Sequence, residues 1–292
     1  MTNSTKHFLL LNLATASIAT SGFLGKFATN QLSVEATLFW RCLFAVLALF
    51  VFVLLQHQKL KLQSKKDLGL VLLSGVLFSG HLYFYFLAIS ISSVAVAVIS
   101  MFTFPIMTAL LEPIWFKKKL SIVTVFSALG IFVGMNFMVP AYSLNDTTWG
   151  ILFGLMSALC YTVRNLLSTS FVTKYSSNIV MLYQIGCCTL LFFISTWSSD
   201  VFIPNSLDVT LALIFLGVFT TAIGHNLFVN SFRHFNPSTA SIITSLQPVI
   251  AIFYAYVFVN EIPDSNTYIG GGIILLAVIM ESAKMLLKKE TI

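Results

Sequence analysis

Apolar residues along this chain gather into ten runs, at 8–29, 34–55, 68–89, 93–115, 121–139, 149–171, 179–197, 209–231, 238–259 and 267–287. A helix crossing a bilayer needs about 20 mostly apolar residues, so each run predicts one membrane-spanning α-helix. The breaks carry turn or charge signals: Gln56-His57-Gln58-Lys59, Lys117-Lys118-Lys119, Asn145-Asp146, Ser198-Ser199-Asp200, Asn236-Pro237 and Pro263-Asp264-Ser265-Asn266. Barrel strands are excluded, since they need only about 9–11 residues of alternating polarity. The first run follows Lys6 and contains Ala14-Thr15-Ala16, which imitates a secretory signal with its cleavage site. It is read as a retained span, because its loss would leave nine helices and break the symmetry described below.

Basic residues set the expected orientation, because Lys and Arg stay on the cytoplasmic side. With the N-terminus inside, Lys6, Lys59, Lys61, Lys65, Lys66, Lys117, Lys118, Lys119, Lys174, Arg233, Lys284, Lys288 and Lys289 all fall at the inner face. Lys26, Arg41 and Arg164 lie within spans, and the outer loops hold no basic residue. The acids Glu35, Asp146, Asp200, Asp208, Glu261 and Asp264 fall outside. Both termini are therefore expected in the cytoplasm.

Composition narrows the class further. Hydrophobic residues make up 58% of the 292 positions and charged residues only 9%, against roughly 25% charged in a soluble domain. A soluble enzyme, a disordered chain and a nucleic-acid-binding domain are excluded, so the net charge of +6 is a topology signal and predicts no nucleic-acid partner. Cys42, Cys160, Cys187 and Cys188 all lie in apolar runs without CxxC spacing, which reads as buried small hydrophobes.

The ten runs divide into two sets of five around the segment 140–148, predicting units at 1–140 and 141–292. Ser79-Gly80-His81 in the third run is matched by Ile223-Gly224-His225 in the eighth, 144 residues later. Ala97 and Pro105 in the fourth are matched by Ala240 and Pro248 in the ninth, 143 residues later. Gly130 and Gly134 in the fifth stand against Gly270, Gly271 and Gly272 in the tenth. One residue of slippage is what a loop absorbs. Five spans is an odd number, so the second unit must be inverted in the membrane. Inverted repeats are a signature of secondary transporters, whose substrate site lies near the midplane between the halves. The fold class expected is an all-α integral membrane protein of ten transmembrane helices in two inverted five-helix repeats.

Phe39-Trp40-Arg41 opening the second span, the Gly-His-aromatic third span, the Ala and Pro separated by seven intervening positions in spans four and nine, and Glu261 after span nine form a set. Together with the tandem five-helix units they resemble the drug/metabolite transporter superfamily, EamA type, over nearly the whole chain. The resemblance implies a ten-helix exporter or exchanger of small organic metabolites. One departure is visible: Lys117-Lys118-Lys119 stand after span four, where the family often carries an acid.

An ionisable residue within a span costs about 2.5–3.5 kcal/mol at the helix centre on insertion scales and needs a reason. His81 and His225 occupy matching repeat positions, which places them on opposite sides of one central cavity, in a proton-coupled or ligand-orienting role. The plainer reading is that each ring bonds a neighbouring helix. Phe84 and Tyr85 share the His81 face at helical spacing, and Asn226 and Asn230 follow His225. An aromatic wall facing an amide-bearing wall would suit an amphipathic small molecule; the alternative for any Phe here is lipid contact or packing. Pro105 and Pro248 are read as mid-span kinks where the halves flex, with Ser100, Thr103, Thr244, Ser245 and Gln247 satisfying freed carbonyls or touching substrate.

Arg41 and Arg164 either snorkel and bond carbonyls or anchor a carboxylate or phosphate. Gln184 follows Tyr183 as Arg41 follows Trp40, so the second half replaces that charge by an amide. Lys26 reaches water or gates the outer mouth. Glu112 is expected to snorkel or to pair with Lys117–Lys119 and is the second candidate proton carrier, read as the only non-terminal acid within a span. Gly130, Gly134 and Gly270–Gly272 predict close packing of spans five and ten, or of two subunits, so a monomer and a homodimer both stay open.

The competing classes fare worse. No HExxH, GxSxG or Walker A sequence is present and no Asp lies within a span, so no catalytic residue, metal site or cofactor is expected. No ring suited to a channel filter is visible. The function expected is secondary transport by alternating access, exporting a small amphipathic metabolite such as an amino acid across a plasma membrane of bacterial inner-membrane type, with protons as the candidate coupling ion. The alternative is exchange of anionic, phosphate-bearing or nucleotide-linked metabolites, which would want several cations converging on the cavity.

Overall fold

The computed structural model describes residues 3–92, 94–138, 147–196, 202–204, 206–259 and 265–287. Among them the regular structure is helical, with no strand. Several helices begin where a serine side chain takes the place of the missing intrahelical acceptor. Ser33, Ser64, Ser176 and Ser206 each accept the backbone N–H three residues on, from Ala36, Asp67, Ile179 and Val209. They open α3 (Val34–Leu55), α4 (Lys65–Ile91), α9 (Ser177–Ser195) and α10 (Leu207–Phe215).

Among the described residues eight helical segments are long and apolar enough to cross a membrane: Thr5–Thr29, Val34–Leu55, Lys65–Ile91, Val96–Phe116, Thr148–Val172, Ser177–Ser195, Leu207–Ser231 and Ser265–Lys284. They coincide with eight of the ten apolar runs. The other two runs are helical in different ways. Residues 121–139 form α7 (Ile122–Met138), of 17 residues. Residues 238–259 form two helices, α12 (Pro237–Thr244) and α13 (Gln247–Val259). Large apolar side chains such as Phe50, Leu55, Ile114, Phe126, Ile194 and Leu276 are exposed along the outside, as hydrocarbon surroundings allow and water does not. The protein is a multi-pass integral membrane protein.

The prolines correct one expectation. Neither kinks a continuous helix. Run four breaks at Phe102-Thr103 between α5 (Val94–Met101) and α6 (Phe104–Phe116), and Pro105 is the second residue of α6. Pro248 is likewise the second residue of α13. A proline ring clashes with the carbonyl four residues back and offers that carbonyl no N–H. Those residues are Met101 and Thr244, the last of α5 and of α12. Each proline thus ends one helix and opens the next, where the lack of an N–H costs nothing.

The packing pairs repeat between the halves. Helix α4 lies on α8 (Thr147–Val172), and the corresponding rod of the second half, a π-helical segment Leu216–His225 continued by α11 (Asn226–Ser231), lies on α1 (Asn3–Ala19). Helix α4 also meets α9, and the π segment meets α3. Helices α5 and α6 pack on α8 as α12 and α13 pack on α1. Two contacts map onto themselves: α3 with α9, and α7 with α14 (Ser265–Leu287). The α7–α14 pair uses the predicted glycines within one chain. A Cβ on Gly134 would stand 2.7 Å from the Gly270 carbonyl oxygen, and one on Gly130 3.5 Å from Ala277 Cβ. Gly271 and Gly272 take no part in that approach.

Polar ties gather at the lysine-bearing end. Tyr175 donates to Asp67 at 2.7 Å and accepts from the Gln63 N–H at 2.9 Å, and Lys174 stands 3.5 Å from Asp67. Burial, with the bond donated to Asp67, pushes the Tyr175 phenol above its ordinary pKa. All four cysteines are free thiols, with Cys42 and Cys188 buried.

Candidate transport cavity

A cavity of about 520 Å³ is lined by both halves: residues of α1, of α2 (Ser21–Thr29) and of α3–α5 on one side, and of α8, the π segment and α13 on the other. His81, Tyr85, His225, Arg41 and Pro248 belong to its wall. The two histidines face a shared pair of rings. His81 stacks on Tyr161 with centroids 4.2 Å apart and lies 6.0 Å from Phe78; His225 meets Phe78 edge-on at 5.1 Å and Tyr161 at 6.1 Å.

Their partners differ. His81 Nδ1 lies 2.8 Å from Ser157 Oγ, and that hydroxyl donates at 3.0 Å to the His81 carbonyl, locking α4 to α8. His225 Nδ1 is buried and has no partner. The π segment positions His225 and Arg41 together. Thr221 Oγ1 donates to the Leu216 carbonyl five residues back at 2.8 Å and accepts Arg41 Nε at 2.8 Å. Gly217 permits this, since a Cβ there would come within 2.7 Å of the Arg41 carbonyl oxygen. Such π turns occur often at functional sites.

The two arginines are both fully buried. Arg41 Nη1 donates to Ser21 Oγ at 3.0 Å and its guanidinium lies 5.4 Å from the Phe86 ring centroid, but Nη2 has no partner. Arg164 stands outside this wall. Its Nε and Nη2 both donate to Gln184 Oε1, at 3.0 and 2.6 Å, and its Nη1 to Asn165 Oδ1 at 3.0 Å. Gln184 Nε2 passes the chain on to Ser74 and Ser168. The guanidinium stacks 4.4 Å over Phe78, beneath the histidines.

A family model described as the EamA-like transporter family matches residues 5–139 and again 148–282. The chain belongs to the EamA-like transporter family. It is 22% identical over 271 residues to the pseudopaline exporter CntI of Pseudomonas aeruginosa, covering 93% of this chain and 94% of that one. It is 23% identical to an S-adenosylmethionine uptake transporter of Rickettsia conorii, over 97% of this chain and 95% of the other. A transporter of Bacillus subtilis, YxxF, is 27% identical over 85% and 81%. A solved structure superposes with a TM-score of 0.82 over 98% of each chain at 14% identity, which shows a shared fold. The protein is accordingly a membrane transporter and not an enzyme.

Several residues expected at the site of this EamA-like transporter stand elsewhere. Asn226 bonds Asn178 Oδ1 at 2.6 Å, and neither it nor Asn230 lines the cavity, where the amide in the wall is that of Gln247. Phe84 turns to Phe153, 5.9 Å away. Ser245 bonds the Ser241 carbonyl at 2.9 Å. Lys26 donates to the Ile89 carbonyl at 2.9 Å, tying α2 to the end of α4. The wall instead gains Tyr161, Tyr254, Met101 and Phe102. Tyr161 was legible as a polar aromatic three residues before Arg164 in span six; the repeat matches singled out spans three to five and eight to ten.

Glu112 makes no ion pair with the neighbouring lysines among the described residues. It accepts the Ser238 backbone N–H at 2.8 Å and the Ser238 hydroxyl, which places it at the start of α12. It borders a second cavity of about 570 Å³ at the lysine-bearing end, with Lys118, Lys119, His234 and Lys284. Glu281 was overlooked as an acid within a span. It is fully buried, accepts from Thr239 Oγ1 at 2.7 Å and pairs with Lys284 at 2.7 Å, while Lys284 also bonds Thr124. Its signal in sequence was Lys284 one helical turn on. No cluster of metal-ligating side chains occurs among the described residues. Glu261 and the 140/141 boundary lie outside the described residues.

Proposed function

We propose that this protein is a secondary transporter that exports a small amphipathic metabolite, an amino acid or similar molecule, by alternating access. The observation that carries the reading is the cavity to which both halves contribute, with His81 and His225 against the same two rings. The repeated packing pairs support two five-helix repeats at 1–140 and 141–292, ten spans in all, related by inversion. The basic residues support cytoplasmic termini in a plasma membrane. The breaks before Pro105 and Pro248 supply paired hinges, and the wall residues His81, Tyr85, Arg41 and His225 bind cargo, with protons as the coupling ion and no second subunit required.

Phosphate-bearing cargo is disfavoured, because among the described residues Arg41 is the one Lys or Arg side chain of the wall. Among the relatives one name states export and another uptake, so direction is part of the test. Purified protein in proteoliposomes is assayed for flux of labelled amino acids, organic cations, purines and sugar phosphates, with and without a pH gradient. Amino-acid flux lost in His81→Ala and His225→Ala is the expected result. Sugar-phosphate flux, or full flux in both variants, would overturn it.

A further inference from the structure

The unpaired groups of the cavity narrow its cargo, on the reading that the cavity is the cargo site. Arg41 is a buried cation whose Nη2 has no acceptor. Among the described residues no acidic one lines the cavity. Among the described residues the ion-paired carboxylates are Asp67 and Glu281, both held by lysines. A second orphan, His225 Nδ1, belongs to the same wall. Thr221, which holds Arg41, precedes His225 by four residues in the π segment, so one element sets the place of both.

A charged donor left unpaired in apolar surroundings is costly, and its complement is an anionic acceptor. A guanidinium with a free N–H suits a carboxylate oxygen, and an imidazole with its proton on Nδ1 can donate to the second oxygen. A phosphate dianion would ask for more positive charge than one arginine gives. Apart from Ser21, His81 and Gln247, the rest of the wall is apolar or aromatic, with Tyr85, Tyr161, Val98, Met101, Phe102 and Tyr254 among it. An ammonium group on the cargo would find no carboxylate there.

We propose that the cargo is recognised by a carboxylate, engaged by Arg41 Nη2 with His225 Nδ1 as second contact, while an apolar or aromatic body lies against the tyrosines. Arg41 is then the specificity-determining residue. The carboxylate is required for binding and an amine is not.

The test uses full-length protein in detergent and ligand-induced shifts in thermal unfolding. The probes are matched by body: 3-phenylpropionate, phenylalanine and phenethylamine; 4-methylpentanoate, leucine and isoamylamine; and phenyl phosphate. The acids are expected to stabilise, the amines and phenyl phosphate not. Arg41→Gln should weaken acid binding at least ten-fold, Arg41→Lys less, and His225→Gln less again. Amines binding as tightly as their acids, no acid of either body binding, or unchanged affinity in folded Arg41→Gln would each overturn the proposal. Should Arg41→Gln fail to fold, the ranking of acids against amines on the unaltered protein decides. Carboxylate binding without flux in proteoliposomes would count against the transport reading and leave this one standing; flux of the amines would do the reverse.

Discussion

Arg41 and Arg164 sit in mirrored settings with opposite outcomes. Ser21 and Arg41 are 20 residues apart and hydrogen-bonded; Arg164 and Gln184 are 20 apart and hydrogen-bonded. The two pairs are related by 143 residues, the offset that relates Pro105 to Pro248. At equivalent positions the halves have exchanged cation and partner. The partner's chemistry then decides. A carboxamide oxygen takes two N–H groups of Arg164, and its amide passes the remaining polarity to Ser74 and Ser168. A serine hydroxyl takes one N–H of Arg41, Thr221 takes another, and one nitrogen is left over. The same place in the repeat therefore leaves every Arg164 nitrogen paired in one half and an open Arg41 donor beside the cavity in the other.

The largest effect expected from breaking this contrast is on stability. Arg164→Leu strands the acceptors of both Gln184 and Asn165 in the interior and should cost about 1–3 kcal/mol for each, read as lost monodisperse yield after mild heating. Arg41→Gln should cost clearly less; equal losses would erase the distinction between the two sites. A smaller effect comes from giving Arg164 the poorer partner. Gln184→Ser leaves guanidinium N–H groups unsatisfied and should cost about 1–3 kcal/mol, measured as a lowered thermal midpoint. The smallest change is the converse. Ser21→Asn offers Arg41 a carboxamide acceptor, should alter stability by no more than about 1 kcal/mol, and should weaken 3-phenylpropionate binding about ten-fold. Undiminished binding in that variant would show that the free nitrogen is not what cargo meets.

Helix positions were legible because a membrane rewards long apolar runs, and four serine caps set starts within three residues of those read from hydropathy. Breaks inside runs were harder. Pro105 and Pro248 announced a disturbance, but its form, a stop four residues before each ring, depends on local sterics that hydropathy does not register. At the cavity the paired histidines, Tyr85 and Arg41 were legible through repeat position and the cost of polar atoms in hydrocarbon. Asn226 misled because its partner, Asn178, comes from another helix and is invisible to local spacing. Glu112 misled for the same reason: lysines near in sequence were weighed, and a serine 126 positions away holds it.

The π segment has a consequence for the phase of the eighth span. His81 lies 17 residues beyond its capping Ser64, whereas His225 lies 19 beyond Ser206. In an unbroken α-helix two additional residues would carry His225 about 3 Å further along the axis and swing it about 200° round, out of the wall it shares with His81. Wider winding from Leu216 to His225 takes up the surplus before the ring is reached. The second half thus tolerates an insertion within a membrane helix, where no loop exists to hide it, and still returns its histidine to the cavity. A single-residue deletion in 216–224 would barely alter hydropathy, yet it would turn the ring away from its site.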